Sequence, residues 1–306
     1  MVREGNIATA NSLGAPPRRL PAPLPAIHPV PEYATEGDLA ARYADMKEVL
    51  QVPWMGVVTM AFAHYPNFFG ELWRGLRPLC ASRPFVEAVG ELRGFCEENV
   101  LELKPPPIGE RLAESGYGGR EIGNICEMIE IFSHGNFPYL MIASLTRSVL
   151  LGGAFGGRSD DAPLFEGRHA PDVSQPFLLM ERHHADAPTQ AVYDDIMATL
   201  GLPFVNTDYR ALARWPSYFA LAWSDLKVSA VTAPHRALSE SVYTRALELA
   251  GGLPNPGCLN AEALQEAAEK DAPLAEIRPV TELFHYLLPE LVVNVAFFRA
   301  QLPRGA

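Results

Sequence analysis

When the chain is slid against itself by 150 residues, positions 36 to 98 align with 186 to 248 without a gap, and no other feature constrains the fold as tightly. Tyr43 meets Tyr193, Asp45 meets Asp195, Leu50 meets Leu200, Pro53 meets Pro203 and Pro66 meets Pro216. Phe69 with Phe219, Trp73 with Trp223, Leu76 with Leu226 and Pro84 with Pro234 continue the match. Thirteen identities in 63 positions is a low score, so its weight comes from which residues are shared: prolines that start helices and aromatics that fill cores. A chain of 306 residues that is 48% hydrophobic can bury a large core, and the repeat predicts two similar halves packed as one unit. Residues 34–151 form the first helical repeat and 176–306 the second, joined by a linker over 152–175 and preceded by a proline-rich arm over 1–33.

Apolar spacing and proline set the elements within each half. Pro16, Pro17, Pro21, Pro23, Pro25, Pro29 and Pro31 forbid regular helix in the arm and favour an extended path. Glu36 to Leu50 reads as a helix with Leu39, Tyr43, Met46 and Leu50 on one face. Met55 to His64 reads as a second helix, Pro66 begins a third, and Pro84 begins a fourth reaching about Val100. Gly119 to about Leu151 is helical in pattern, with interruptions expected near Gly135 and Pro138. The second half replays this with a helix from Pro188 to Leu200 and helices starting at Pro216 and Pro234. A last helix covers roughly Leu274 to Gln301, broken near Pro289. Alternating apolar runs that would mark strands are scarce. The predicted fold is all-α, two pseudo-two-fold related helical halves with a cleft between them.

Charge and motif content exclude several functions. With 25 Lys plus Arg against 36 Asp plus Glu the net charge is −11, which repels an extended phosphate backbone, so nucleic acid is not an expected partner. Cys80, Cys96, Cys126 and Cys258 form no C-x-x-C pair and read as reduced thiols of a cytoplasmic protein. No stretch approaches 18 uninterrupted apolar residues, so membrane spanning is not indicated. The run from Gly152 to Arg158 lacks a preceding strand and a closing Gly-Lys-Ser/Thr, and reads as linker rather than phosphate loop. His183 and His184 are adjacent, so their side chains diverge on any regular element and do not make a metal site; no metal is expected.

The two halves differ where chemistry could sit. The comparison sets Trp54 against Phe204, Gly56 against Asn206 and Val58 against Asp208. Where the halves agree they agree on scaffold, and one half has gained a carboxylate. Asn206, Thr207 and Asp208 favour a helix start, which places Asp208 in a first turn whose N–H groups and dipole suit a small anion. Capping alone is the plainer use of an aspartate there. Asn136, in Asn136-Phe137-Pro138-Tyr139, could cap a helix or, beside a helix break, turn inward and hold a water.

Pro203-Phe204-x-Asn206-x-Asp208-Tyr209-Arg210, its weak copy at Pro53-Trp54, and the helical repeat resemble the group I 2-haloacid dehalogenases over about residues 30 to 300. The resemblance implies an all-helical subunit that dimerises, uses no metal or organic cofactor, and hydrolyses short 2-haloalkanoic acids with inversion at C2. It makes Asp208 the general base on a water and Asn136 the amide that co-orients it, with Asn124 as the alternative. It places Trp54 and Thr207 in the halide and carboxylate pocket and Phe284 and Leu288 on the apolar wall. In that family a bulkier polar residue at the position of Asn206 goes with D-specificity, so the D enantiomer is the expected substrate. A non-stereospecific enzyme, attack on C2 by Asp208 itself, and a non-catalytic helical protein that binds small acids are the alternatives.

Elementary electrostatics pulls Asp208 in two directions. A helix N-terminus favours the carboxylate, whereas the aromatics Trp54, Phe204 and Phe284 would desolvate it and raise its basicity. Backbone N–H groups of the two matching turns can hold a substrate carboxylate. Arg210 is the alternative clamp, although a structural pairing pointing away suits it better.

Overall fold

A computed structural model describes residues 18–157, 162–172 and 174–303; the first half of the arm and part of the linker lie outside them. The chain runs through α1 (Gly37–Leu50), α2 (Val57–Phe62), α3 (Pro66–Cys80), α4 (Arg83–Asn99), α5 (Gly109–Glu114) and α6 (Gly119–Leu150). After the linker come α7 (Ala187–Leu200), α8 (Thr207–Leu212), α9 (Pro216–Ala230), α10 (Ala233–Gly252), α11 (Ala261–Glu269) and α12 (Leu274–Gln301). Among the described residues there is no strand; Ser82 and Leu164 form one isolated bridge. The architecture is all-α.

Local chemistry explains most boundaries. Pro66, Pro84, Pro188, Pro216 and Pro234 all fall in first turns, where a missing N–H costs no helical bond. Ser82, Asp186 and Thr232 accept hydrogen bonds from the N–H groups of Phe85, Thr189 and His235, capping α4, α7 and α10. The second helix is shorter than the Met55 to His64 expected. Met55 N–H goes instead to a Glu32 carboxylate oxygen at 2.8 Å, and Pro66 drives Tyr65 out of the helical region, to φ −108° and ψ 85°. The short α5 and α11 had not been expected.

Contacts recur at the 150-residue spacing. Tyr43 donates its hydroxyl to Val30 O at 2.8 Å and Tyr193 to Met180 O at 2.7 Å. Val30 N–H bonds Met60 O, and Met180 N–H bonds Arg210 O. Trp73 and Trp223 donate their indole N–H groups to Asp45 and Asp195. The segments leading into α1 and α7 are therefore held to α2 and α8 by equivalent main-chain bonds, and to α1 and α7 by matching tyrosines.

The long helices α6 and α12 pack along each other at the centre. Breaks had been expected in both, and both are continuous: α6 passes through Gly135 and Pro138, and α12 through Pro279 and Pro289. A mid-helix proline forfeits one bond and costs about 3 kcal/mol. From Ser133 to Thr146 every residue of α6 is buried, and continuity preserves that packing. Gly135 is required for a different reason: a Cβ there would lie 2.4 Å from the Trp54 ring. Helix α12 is long and apolar enough to cross a membrane by length and composition, yet it is mostly buried inside the bundle.

Candidate active site

The first turns of α2 and α8, the middle of α6 and the middle of α12 meet around one small enclosed cavity. It is lined by Trp54, Asn136, Asn206, Thr207, Asp208, Phe284 and Leu288, every site residue picked out above apart from the alternatives Asn124 and Arg210. Its volume is about 30 Å³, close to the share of one water in the liquid. Larger pockets lie elsewhere, such as an open groove of about 760 Å³ lined by Glu91, Glu98, Glu240 and Glu248 and a space of about 130 Å³ beside Leu50, Cys80 and His134, and neither contains Asp208.

Asp208 is the second residue of α8 and is 2% exposed. Asn136 donates from Nδ2 to Asp208 Oδ1 at 2.6 Å, across 72 residues of sequence. Burial pushes the Asp208 carboxyl up to about 6; the Asn136 bond, its own main-chain N–H and Arg210 pull the other way and offset only part of this. Desolvation thus wins over the helix end. Arg210 is directed outward, with Nη1 on Glu181 at 2.7 Å and Nη2 on Thr207 Oγ1 at 3.4 Å, so it pairs structurally and does not clamp the cavity.

Asn206 stands at the N-cap of α8, but its side chain makes no capping bond. Its Oδ1 is buried without a hydrogen-bond partner, an unspent acceptor on the cavity wall. Asn136 is not beside a helix break, as had been expected; it lies mid-way along the unbroken α6, where packing alone turns it toward Asp208. Asn124 accepts from Gln175 Nε2 at 2.8 Å and does not line the cavity. Phe284 and Leu288 occupy one face of the unbroken α12 and pack the apolar side. Phe284 lies edge-on to Phe62 with centroids 6.2 Å apart.

Several lining residues escaped the sequence reading. Tyr139, one turn after Asn136, donates its hydroxyl to Trp54 O at 2.6 Å, and its ring lies so close under Gly56 that a Cβ there would sit 2.9 Å from it. Leu287 and Leu291 extend the apolar wall along the Phe284–Leu288 face at helical spacing, which is the signal the sequence carries for them. Gly56, Val57 and Val58 line the side opposite Asp208, and their signal was the alignment itself. Trp54 is fixed by stacking on Phe177 at 5.2 Å and by an edge contact to Phe132 at 5.0 Å.

Histidine plays no part in the cavity. His134 is held near 4 by burial and makes a long contact of 3.4 Å to Leu50 O; His285 is held near 3 by burial and stacks on Tyr243. Among the described residues no group of three or more His, Cys, Asp or Glu side chains could hold a metal ion. The cavity brings together a desolvated carboxylate, the amides of Asn136 and Asn206, the starts of two short helices and an apolar wall.

No family model matches the chain. Among curated proteins it is 45% identical over 248 residues to an (R)-2-haloacid dehalogenase of Rhizobium sp. (strain NHG3), covering 80% of this chain and 95% of that one. It is 36% identical over 292 residues to an (R)-2-haloacid dehalogenase of Pseudomonas putida, covering 92% and 96%. A configuration-inverting 2-haloacid dehalogenase of Alcaligenes xylosoxydans xylosoxydans is 26% identical over 266 residues, 85% of this chain and 88% of that one. Among solved structures, D-2-haloacid dehalogenase in complex with L-LA superposes with a TM-score of 0.83 at 33% identity, covering 93% of this chain and 99% of that one. A mutant of D-2-haloacid dehalogenase with D-2-CPA superposes with a TM-score of 0.81 at 35% identity, covering 92% and 99%.

Proposed function

The chain belongs to the 2-haloacid dehalogenase family, and we propose on that premise that it hydrolyses the D enantiomer of short 2-haloalkanoic acids to 2-hydroxyalkanoic acids with inversion at C2. It is a hydrolase acting on a carbon–halide bond. The observation that carries the assignment of roles is the Asn136–Asp208 pair, closed at 2.6 Å inside a desolvated cavity.

In this reading a water held by the Asp208 carboxylate and the Asn136 amide attacks C2 from the face opposite the halogen. Its oxygen forms the new C–O bond, the halide departs with the pair of the C–X bond, and the water proton passes to Asp208. Displacement at carbon needs an in-line nucleophile, so two groups gripping one water supply position and proton acceptance together. A carboxyl raised to about 6 is a better base than an ordinary aspartate and is still about ten parts ionised to one protonated at pH 7.

The substrate carboxylate is assigned to the first-turn N–H groups of α2, which begin at Val57. The α8 turn already carries the negative charge of Asp208, whereas Val58 leaves the α2 turn uncharged. The two anions can thus be held apart. Phe284, Leu287, Leu288 and Leu291 form the apolar wall, and Asn206 selects the enantiomer by filling the space a smaller residue would leave. The small volume of the cavity, about 30 Å³, supports short acids as the substrates. The subunit is further proposed to act as a cytoplasmic homodimer, a state that sedimentation velocity would test.

Halide release from D- and L-2-chloropropionate, measured separately on the wild type and on Asp208→Asn, tests the reading. Release from the D acid alone, abolished in the folded variant, is the expected result. Release from both enantiomers would overturn the role of Asn206, and release by Asp208→Asn would overturn the role of Asp208. A single turnover in oxygen-18 water separates water attack from an ester on Asp208, because the ester route leaves label in the protein.

A further inference from the structure

Behind the Asp208 turn lies a buried chain of polar side chains that the reaction as derived does not use. Tyr209, the residue after Asp208, is fully buried, with its ring edge-on to Trp223 and Phe298. Its hydroxyl accepts from Asn294 Nδ2 at 3.0 Å. Asn294 Oδ1 lies 2.8 Å from Nε2 of His235, which burial keeps neutral, so the ring donates through that nitrogen. Helices α8, α12 and α10 meet through these three residues, none more than 1% exposed.

An apolar cluster would fill the same space without desolvating three polar groups. The chain is not even fully satisfied, because His235 Nδ1 is buried without a partner. The corresponding positions of the first half are apolar or self-contained. Thr59 and Phe85 stand 150 residues before Tyr209 and His235, and Thr59 turns its hydroxyl back onto Gly56 O at 2.8 Å. Counted from His134 and His285, or from Pro138 and Pro289, the counterpart of Asn294 is Ala143. Of the two turns, the one backed by the polar chain is the one that carries the carboxylate.

We infer that Asn294, supported by His235, is a positioning residue for dehalogenation: by gripping the Tyr209 hydroxyl it fixes the first turn of α8 and so the separation of Asp208 from Asn136. The inference rests on the reading of Asp208 as the base. Helix α8 has six residues and no side-chain capping bond, so few main-chain bonds hold its register. Arg210 ties its outer side to Glu181 and Asn294 ties its inner side, with Asp208 between them. The charged groups facing this assembly are Arg210 toward Asp208, Asp208 and Glu290 toward Tyr209, and Glu290, Arg18 and Arg236 toward His235, with Glu290 bonded to Arg18 at 3.0 Å.

Tyr209→Phe removes one oxygen and keeps the ring, and Asn294→Leu keeps the branched outline, with somewhat more bulk, and removes both bonds. The two variants and their double are compared with the wild type in three measurements. These are steady-state chloride release from D-2-chloropropionate, thermal unfolding, and the titration of the Asp208 carboxyl, followed spectroscopically in protein without substrate. A displacement near 1 Å costs about 10²-fold, so kcat should fall roughly 10- to 100-fold in each single variant. KM should stay within about threefold, and the double should be no worse than the poorer single. The Asp208 midpoint should move upward from about 6, because the Asn136 bond that favours the carboxylate is weakened. Variants that unfold earlier but keep the wild-type kcat and midpoint overturn the inference. If the wild type releases no chloride from either enantiomer, the functional reading fails instead, and the titration still decides the positioning: an unmoved midpoint overturns it.

Discussion

The first turns of α2 and α8 face the same cavity from two sides and begin with nearly the same backbone, Gly56 at φ −62°, ψ 142° and Asn206 at φ −62°, ψ 156°. One reads Gly56-Val57-Val58-Thr59 and the other Asn206-Thr207-Asp208-Tyr209. Both are read by α6, which sends Tyr139 beneath Gly56 and Asn136 to Asp208 from positions three apart. The difference shows how a matched scaffold makes an asymmetric site. One turn carries no charge and packs its glycine against the Tyr139 ring; the other buries a carboxylate, and under the proposed reading the first receives the substrate anion while the second activates water.

The sharpest way to break the comparison is to remove or move the charge. Asp208→Asn should lower turnover by about 10³-fold or more, within the range for loss of a general base. Adding Val58→Asp to that variant should not restore it, because Asn136 reaches the α8 side and the new charge would occupy the anion seat. Chloride release and circular dichroism of both variants check this, and recovery in the double would mean that the two turns are interchangeable.

The same substitution should stabilise the protein, with a definite pH dependence. Asp208 has its folded pKa raised from 3.8 to about 6, so the stability tied to its neutral form is complete below the unfolded value and is lost as pH rises through about 6. At pH 8 the wild type therefore carries a cost that Asp208→Asn does not. The expected gain is roughly 3 kcal/mol at pH 8 and close to zero at pH 3.5. Chemical denaturation at the two pH values measures it, and a gain of equal size at both would point to packing rather than to the buried charge.

Gly56→Ala tests the other turn. A Cβ at this position meets the Tyr139 ring at 2.9 Å, so the ring or the turn must shift, at about 1 to 3 kcal/mol of stability by the usual cost of overpacking. Tyr139 also holds Trp54 O, so the apparent KM for the acid should rise more than kcat falls. A crystal structure of the variant with unmoved Tyr139 would contradict this.

How far these features could be read from the chain follows from what each depends on. Asp208 was legible because it is a difference within a match; the residues around it then needed only to be helical. Asn136 was legible as a residue type, but its place was misjudged: Pro138 reads locally as a breaker, and the burial that keeps α6 continuous is a tertiary property. Tyr139, Leu287 and Leu291 join the site because α6 and α12 cross the two short helices at a given depth, which no spacing in one helix encodes. The basicity of Asp208 could not be read at all, since helix end and desolvation oppose each other and only the closure of the cavity decides which prevails.

The smallest effect comes from making the α8 turn resemble the α2 turn at a residue outside the cavity. The position 150 residues before Arg210 is Met60, so Arg210→Met carries the apolar member of the pair into the second half. Arg210 is the last of the three influences that favour the Asp208 carboxylate, after the Asn136 bond and the main-chain N–H, and its charge is already engaged by Glu181. Its loss should raise the Asp208 midpoint by less than about one unit, which moves the acidic limb of the pH–rate profile upward. Turnover should fall about two- to fivefold near pH 6 and stay unchanged at pH 8, where the carboxylate is ionised in both proteins. A fall of equal size at both pH values would instead show Arg210 binding the substrate, and the carboxylate seat would then have to be reassigned from the start of α2 to a side chain.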